Sequence, residues 1–433
     1  MSNENIYRIA VISDVHAHMN AMDSTSGKDI PSWVTPKAPS NSRQNPLADL
    51  KPLIAANNLR ADILLCPGDI ADKADDAAMN YAWAELNAIA LELGSSALVG
   101  AVGNHDLHSR GAPGLPAGSG VPGNPSPSVS IRQLTPQFPL KDEEEARRYW
   151  ADYVAVHSDE HCRIVTLNSC ASHGYISEGD DEYKKGRFSH EAEVKLKALI
   201  EKTDQRLINI LLTHHHPQQV SDYQFVDNST MIRGDRLIHL LGSGDHGSWM
   251  IVHGHRHVAN FQLAPGDVDR PYVFSAGSVG VIHSPIHYPD RPTNQFYMIE
   301  FDLKKIADEG SGLFGTLMAW DWHFGKGWKP ASDECRVPSR SGFGNRTAIA
   351  SLAKKVHEHI VGSAQENAQG VVKALPELEV AASVPEILYL MPSERTKFKG
   401  QLETLGIGLS RDPRNPGGLL YVYSPPLAHG GVA

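Results

Sequence analysis

Ala97-Leu98-Val99-Gly100-Ala101-Val102-Gly103-Asn104-His105-Asp106 joins a short apolar run to an abruptly polar tip. Six small or apolar residues in a row read as a buried strand, and Gly-Asn-His-Asp reads as the turn that ends it. The same grammar recurs on both sides. Tyr7 to Ile12 stops at Ser13-Asp14-Val15-His16, and Asp62 to Cys66 stops at Pro67-Gly68-Asp69. Leu207 to Leu212 stops at Thr213-His214-His215-His216-Pro217, and Trp249 to Val252 at His253-Gly254-His255-Arg256-His257. A further strand, Arg163 to Leu167, ends at Asn168-Ser169. Helices are expected between these runs: Asp75 to Leu93, Glu143 to Val156, and one capped by Ser189 that reaches Lys202. Later strands are expected at Tyr272 to Ser275, Phe296 to Leu303 and Thr316 to His323. Alternating strands and helices make an α/β chain, and in open α/β sheets the strand ends on one side converge on the ligand site.

Taken singly, each tip is an ordinary turn. Five of them in order, each closing an apolar run, gather carboxylates, an amide and imidazoles in the mixture that binds metal. Two divalent ions about 3.5–4 Å apart clamp the attacking and leaving oxygens of a phosphoryl displacement. Such a pair needs one bridging carboxylate, and Asp69 is the candidate. Asp14, His16 and His257 then suit one ion. Asn104, His255 and one histidine of the triple run suit the other. A hydroxide bridging the metals is the expected nucleophile. Mixed nitrogen and oxygen donors favour Mn, Fe or Zn over Mg or Ca. His105, beside Asp106, is the expected general acid, its imidazole oriented by that carboxylate; both are read as catalytic.

The blocks D-x-H, G-D, G-N-H-D, H-x-P and G-H-x-H resemble the calcineurin-like metallophosphoesterase superfamily. The resemblance runs from Tyr7 to His257, with later strands to about His323 completing the core. It implies a four-layer αββα sandwich: two mixed β-sheets packed together with helices outside. Family members usually carry the ligand two positions before the proline. That makes His215 the expected ligand and His214 the runner-up. Within the superfamily the chain is most similar to class III cyclic nucleotide phosphodiesterases, through Gly186-Arg187-Phe188-Ser189-His190-Glu191 and Asn168-Ser169. Serine/threonine phosphoprotein phosphatases carry an arginine soon after G-D. Here the block reads Gly68-Asp69-Ile70-Ala71-Asp72-Lys73.

The expected function is therefore hydrolysis of a phosphodiester, a cyclic nucleotide or another small organic diester. A phosphomonoesterase or phosphoprotein phosphatase is the alternative. A metal- or nucleotide-binding scaffold is the non-enzymatic one, and the intact His105 and ligand set argue against it. The net charge of −10 opposes a broad nucleic-acid-binding surface, and no run of about 20 apolar residues spans a membrane. A homo-oligomer is compatible with the sequence but has no support in it. Four scattered cysteines without C-x-x-C spacing and a polar N-terminus suggest a reducing, cytoplasmic setting.

At roughly 150 residues per domain, 433 residues make a large domain and a smaller one. The division is drawn as 1–328 for the phosphoesterase domain and 329–433 for a C-terminal extension. In the latter, 330–345 reads as a linker and Thr347 to Ile360 as a helix. Two stretches read as loops beside the site, Met22 to Asn45 and His108 to Pro139, and His108, His173 and Arg187 are candidate phosphate contacts.

Overall fold

The computed structural model describes residues 5–20, 30–38, 43–109, 126–174, 185–219, 229–266, 269–282, 294–362, 373–413 and 419–423. The chain divides into two compact units, one of residues 1–313 and 319–331 and one of residues 314–318 and 332–433.

The first unit holds two mixed sheets. Its strands are β1 (Ile6–Val11), β2 (Ile63–Cys66), β3 (Ala97–Gly100), β4 (Val154–Ser158), β5 (Cys162–Leu167), β6 (Ile208–Leu212), β7 (Trp249–His253), β8 (Asn260–Leu263), β9 (Tyr272–Ser275), β10 (Asn294–Asp302), β11 (Gly315–His323, of which 319–323 belong to this unit) and β12 (Gly327–Pro330). One sheet runs β12-β11-β10-β1-β2-β3 and the other β4-β5-β6-β7-β9-β8. β1, β2 and β3 are parallel, as are β5, β6, β7 and β9. The polar tip of each therefore leaves its sheet on the same side. β1, β2, β6 and β7 are buried almost throughout, which explains their continuous apolar runs. The sheets meet through side chains such as Phe274 and Tyr297, whose rings lie 4.9 Å apart, and Thr166 donates from β5 to the Gly100 carbonyl on β3.

Helices α1 (Pro46–Asn57), α2 (Asp76–Leu93), α3 (Glu143–Asp152), α4 (His190–Lys202), α5 (Gly234–Leu241) and α6 (Leu303–Glu309) flank the sheets. Asp75 caps α2 and Gly94 ends it in the left-handed region. Ser189 caps α4 as expected, accepting from the Ala192 N–H. Helix α3 is shorter than expected. Tyr153, at φ 66°, breaks it, and Val154 to Ser158 becomes an antiparallel strand against β5. The segment 22–45 lies partly outside the described residues. In its described part Ser32 and Val34 are buried, and the Ser32 hydroxyl donates to the His16 carbonyl. Of 108–139, residues 108–109 and 126–139 are described. The latter pack inward rather than forming an open loop, with Phe138 buried against Trp83 and Tyr149.

In the second unit β13 (Arg340–Phe343), within the expected linker, pairs antiparallel with Gly315–Met318. Helices α7 (Ile349–Gly362), α8 (Glu377–Ser383) and α9 (Pro392–Thr404) accompany a small sheet of order β14-β16-β15, made of β14 (Lys373–Pro376), β15 (Ile407–Arg411) and β16 (Leu419–Tyr423). Leu352, Val356, Phe398, Leu402 and Tyr421 form its core. Among the described residues of the whole chain, no helix is long and apolar enough to cross a membrane.

One buried cation holds the outer layer of the second sheet. Arg163 on β5 is 1% exposed. Its guanidinium donates to Asn209 Oδ1 at 2.9 Å and to the carbonyls of Ile200, Thr203 and His246, and lies over the Trp249 ring. Removing it orphans several buried acceptors, each costing about 1–3 kcal/mol. Arg163→Ala is expected to lower the unfolding free energy by about 3 kcal/mol or more, measured by urea denaturation.

Candidate metal centre

The first sheet brings Asp14 and His16 from β1, Asp69 from β2, and Asn104 and His105 from β3. The second brings the histidine run from β6 and His255 and His257 from β7. Asp14, His16, Asp69, His255 and His257 all sit at positive φ, between 47° and 77°. Non-glycine residues held in this region cost about 1 kcal/mol or more each and persist only where their surroundings dictate it. Here those surroundings are hydrogen bonds between tips: Asp14 N–H to the Gly68 carbonyl, His16 N–H to the Asp69 carbonyl, and His255 N–H to Asp14 Oδ1. At Gly103 and Gly254 the tips approach so closely that a Cβ would lie 2.1 Å from Asp69 Oδ1 and 2.3 Å from Ser13 Oγ, respectively.

Two ligand groups result. In the first, Asp14, His16, Asp69 and His257 each place a donor atom within 4.8 Å of the others. His16 Nε2 is 3.1 Å from His257 Nε2, and His257 Nε2 is 3.3 Å from Asp14 Oδ1. In the second, Asn104 Oδ1 lies 3.0 Å from both His214 Nε2 and His255 Nδ1, and those two nitrogens are 3.2 Å apart. Asp69 Oδ2 joins the groups, 3.3 Å from His16 Nε2 and 3.3 Å from His214 Nε2.

The imidazole that reaches Asp69 and Asn104 is thus His214, not the expected His215. His214 donates from Nδ1 to the Pro67 carbonyl at 2.8 Å, which leaves Nε2 to face the carboxylate. His215, next along the bend that follows β6, faces elsewhere, and its Nδ1 meets Ser169 Oγ at 2.9 Å. It stays within 4.8 Å of donor atoms on His214 and His255.

A second correction concerns His105. Its carboxylate partner is Asp72, with Oδ1 3.1 Å from Nδ1, rather than the adjacent Asp106. The imidazole also packs edge-on against His16 at 4.6 Å. Asp106 is fully buried and turns inward. It accepts N–H bonds from Gly103, Asp69, Ile70 and Ala71 at 2.7 to 3.2 Å, which sews the β2 tip to the β3 tip. Both of its oxygens are thus engaged by backbone N–H groups.

The electrostatics follow. Burial pushes Asp69 upward, but His214, His105 and His16 outweigh it and hold the carboxyl well below the usual range. Asp14 is likewise lowered, burial being overcome chiefly by His257. Burial depresses His214, yet Asp69 and Asp14 raise it to about 9. His255 lies well below its ordinary value through burial and the neighbouring His214 and His216. Burial and the Asp69 charge lift Asp106 to about 6 against its N–H bonds.

Of the other expected contacts, His173 is buried with its ring 5.3 Å from that of His215. His108 and Arg187 meet the surrounding loops through backbone bonds, to the Pro127 and Ser169 carbonyls. Asp72 and Cys170 also face these groups, a placement not expected from the sequence. Asp72, three positions after Asp69, was the one with a visible signal.

The sequence model for calcineurin-like phosphoesterases matches residues 7–259. Among curated proteins nothing matches. Solved structures that align include a purple acid phosphatase from yellow lupin (Lupinus luteus), at 14% identity and TM-score 0.44 over 78% of this chain and 53% of that one. The chain spans about half the length of that protein. Phosphopantetheinyl hydrolase from Mycobacterium tuberculosis aligns at 11% identity and TM-score 0.31 over 66% of this chain and 93% of that one. NAD nucleotidase from Haemophilus influenzae aligns at 11% identity and TM-score 0.32, over 69% and 47%.

Asp106 and His105 are adjacent yet separable. Asp106→Ala is expected to lower the thermal midpoint by several degrees, because it orphans four backbone N–H groups. His105→Ala is expected to leave the midpoint nearly unchanged. Differential scanning calorimetry of the two variants checks the contrast.

Proposed function

The chain belongs to the calcineurin-like phosphoesterase family, and on that premise we propose that it hydrolyses a phosphodiester at two divalent metal ions held by Asp14, His16, Asp69, Asn104, His214, His255 and His257. His214 takes the place expected for His215. The observation that carries this reading is a single oxygen, Asp69 Oδ2, equidistant from imidazoles of two separate ligand groups. One carboxylate can then serve both ions. The donor set fits Mn, Fe or Zn, since it mixes imidazole with carboxylate and amide oxygen. When bound, the ion pair supplies Lewis-acid charge to the phosphoryl oxygens and acidifies water.

The chain's own groups do the rest. Asp14 and Asp69 stay ionised and keep the site attractive to cations. Asp72 engages His105 Nδ1 and so fixes the ring, leaving Nε2 as the nitrogen that hands a proton to the leaving alkoxide. Asp106 keeps the Asp69 and Asn104 tips in register. The preference for a diester is supported by the likeness of Gly186–Glu191 and Asn168-Ser169 to class III cyclic nucleotide phosphodiesterases, and by Lys73 where phosphoprotein phosphatases approach their arginine.

Mn²⁺-loaded protein is expected to cleave bis(4-nitrophenyl) phosphate faster than 4-nitrophenyl phosphate, and the reverse order overturns the diester assignment. His105→Ala is expected to lower kcat on the diester by about 10²–10⁴, and Asp72→Asn to lower kcat more than it changes KM. Steady-state kinetics of the metal-loaded variants test both.

Metal uptake should be linked to a proton. His214 keeps its proton until about pH 9, and a nitrogen ligand must shed it. Apparent metal affinity is therefore expected to rise with pH up to about 9 and to level off above it. Titration calorimetry in buffers of different ionisation enthalpy should show the released proton, and His214→Gln should remove it.

A further inference from the structure

Beside the ligand groups lies a second cluster that the phosphoesterase reading leaves unused. Cys170, His173 and His215 are all buried, at 0%, 2% and 0% exposure. One donor atom from each lies within 4.8 Å of the other two. Cys170 Sγ is 3.7 Å from His215 Nδ1. A tetrahedral zinc ion, with Zn–S about 2.3 Å and Zn–N about 2.0–2.1 Å, holds its sulfur and nitrogen about 3.5 Å apart.

Local sequence sets up the arrangement. Cys170 and His173 are spaced C-x-x-H on one tight turn after β5, closed by a hydrogen bond from the His173 N–H to the Cys170 carbonyl. Two ligands separated by two residues on such a turn are a recurrent zinc-binding device. His215 comes from the β6 tip. Ser169 stands between them. Its hydroxyl meets His215 Nδ1 at 2.9 Å, accepts the His215 N–H and hydrogen-bonds the Cys170 sulfur. An ion on His215 Nδ1 takes the place of the Ser169 hydroxyl at that nitrogen.

We propose that Cys170, His173 and His215 form a third cation site, distinct from the Asp69-bridged pair, that takes zinc or a similar borderline-soft divalent ion with water as fourth ligand. Sulfur with two imidazoles selects such an ion over Mg²⁺ or Mn²⁺. Binding releases the Cys170 proton to solvent, so the thiolate offsets one of the two positive charges brought near His214 and His255. Its structural effect is to tie the turn after β5 to the β6 tip. That turn also packs closely on the neighbouring loop: at Gly174 a Cβ would lie 2.6 Å from Pro127 and 2.8 Å from the His108 carbonyl.

The test uses Co²⁺ in the full-length chain. The Asp69-bridged pair has only nitrogen and oxygen donors, so a thiolate-to-cobalt charge-transfer band in the near ultraviolet reports the third site alone, whether or not the protein turns over phosphodiesters. Wild type is expected to bind three Co²⁺ per chain and to show the band. Cys170→Ser and His173→Ala are each expected to bind two and to lack the band. Asp69→Asn is expected to keep the band while losing the other ions. Wild type saturating at two ions with no band overturns the proposal without any variant having to fold. A band that survives Cys170→Ser but vanishes in Cys335→Ser overturns it as well.

Discussion

A carboxylate taken fully out of water must be compensated in place, and Asp69 is compensated from two sheets at once. Desolvating an ion costs several kcal/mol even after relaxation. His16 from β1, His214 from β6 and the His105 N–H surround the Asp69 side chain. None of them is near Asp69 in sequence, so the compensation exists only when β1, β2, β3 and β6 end together. The neighbouring Asp106 illustrates the other solution. It is equally buried but spends its oxygens on backbone N–H groups, and with Asp69 already charged its own ionisation is disfavoured. Two acids side by side thus divide the work: one faces the imidazoles, the other braces the loops that carry it.

This division explains what could be read in advance and what could not. The tips were legible because a parallel strand buried on both faces has an unbroken apolar run, and its end shows as an abrupt polar turn. That Asp14, His16, Asp69, Asn104, His255 and His257 come together follows from that signal. The choice between His214 and His215 did not, since the two lie in a bend past the end of β6 and the Pro67 carbonyl that holds the His214 ring lies 147 positions away. Asp72 was hidden by adjacency. Asp106 touches His105 in sequence, yet the turn points its carboxylate at the backbone and lets Asp72 reach the ring.

Secondary structure failed where local signals conflicted. Helix α1 carries Pro52 inside it, and its start at Asn45-Pro46 adjoined a polar stretch, though Asn45 caps it well, accepting from the Leu47 and Ala48 N–H groups. Helix α3 and β4 run together in sequence without glycine or proline, and the break rests on the left-handed Tyr153. The residues expected to be a linker contain β13, a Ser/Gly-rich strand with no apolar run to announce it. Such strands are specified by the partner they pair with rather than by their own composition.

The left-handed residues at the strand tips have a kinetic meaning. Five side chains of the site start from backbone conformations that an unrestrained chain seldom visits, and interlocking amide contacts hold them there. The conformational search has been completed at folding rather than on encounter. A cation arriving there would meet donors already in place, and what remains to be exchanged would be its hydration shell and the His214 proton, with no reshaping of the backbone.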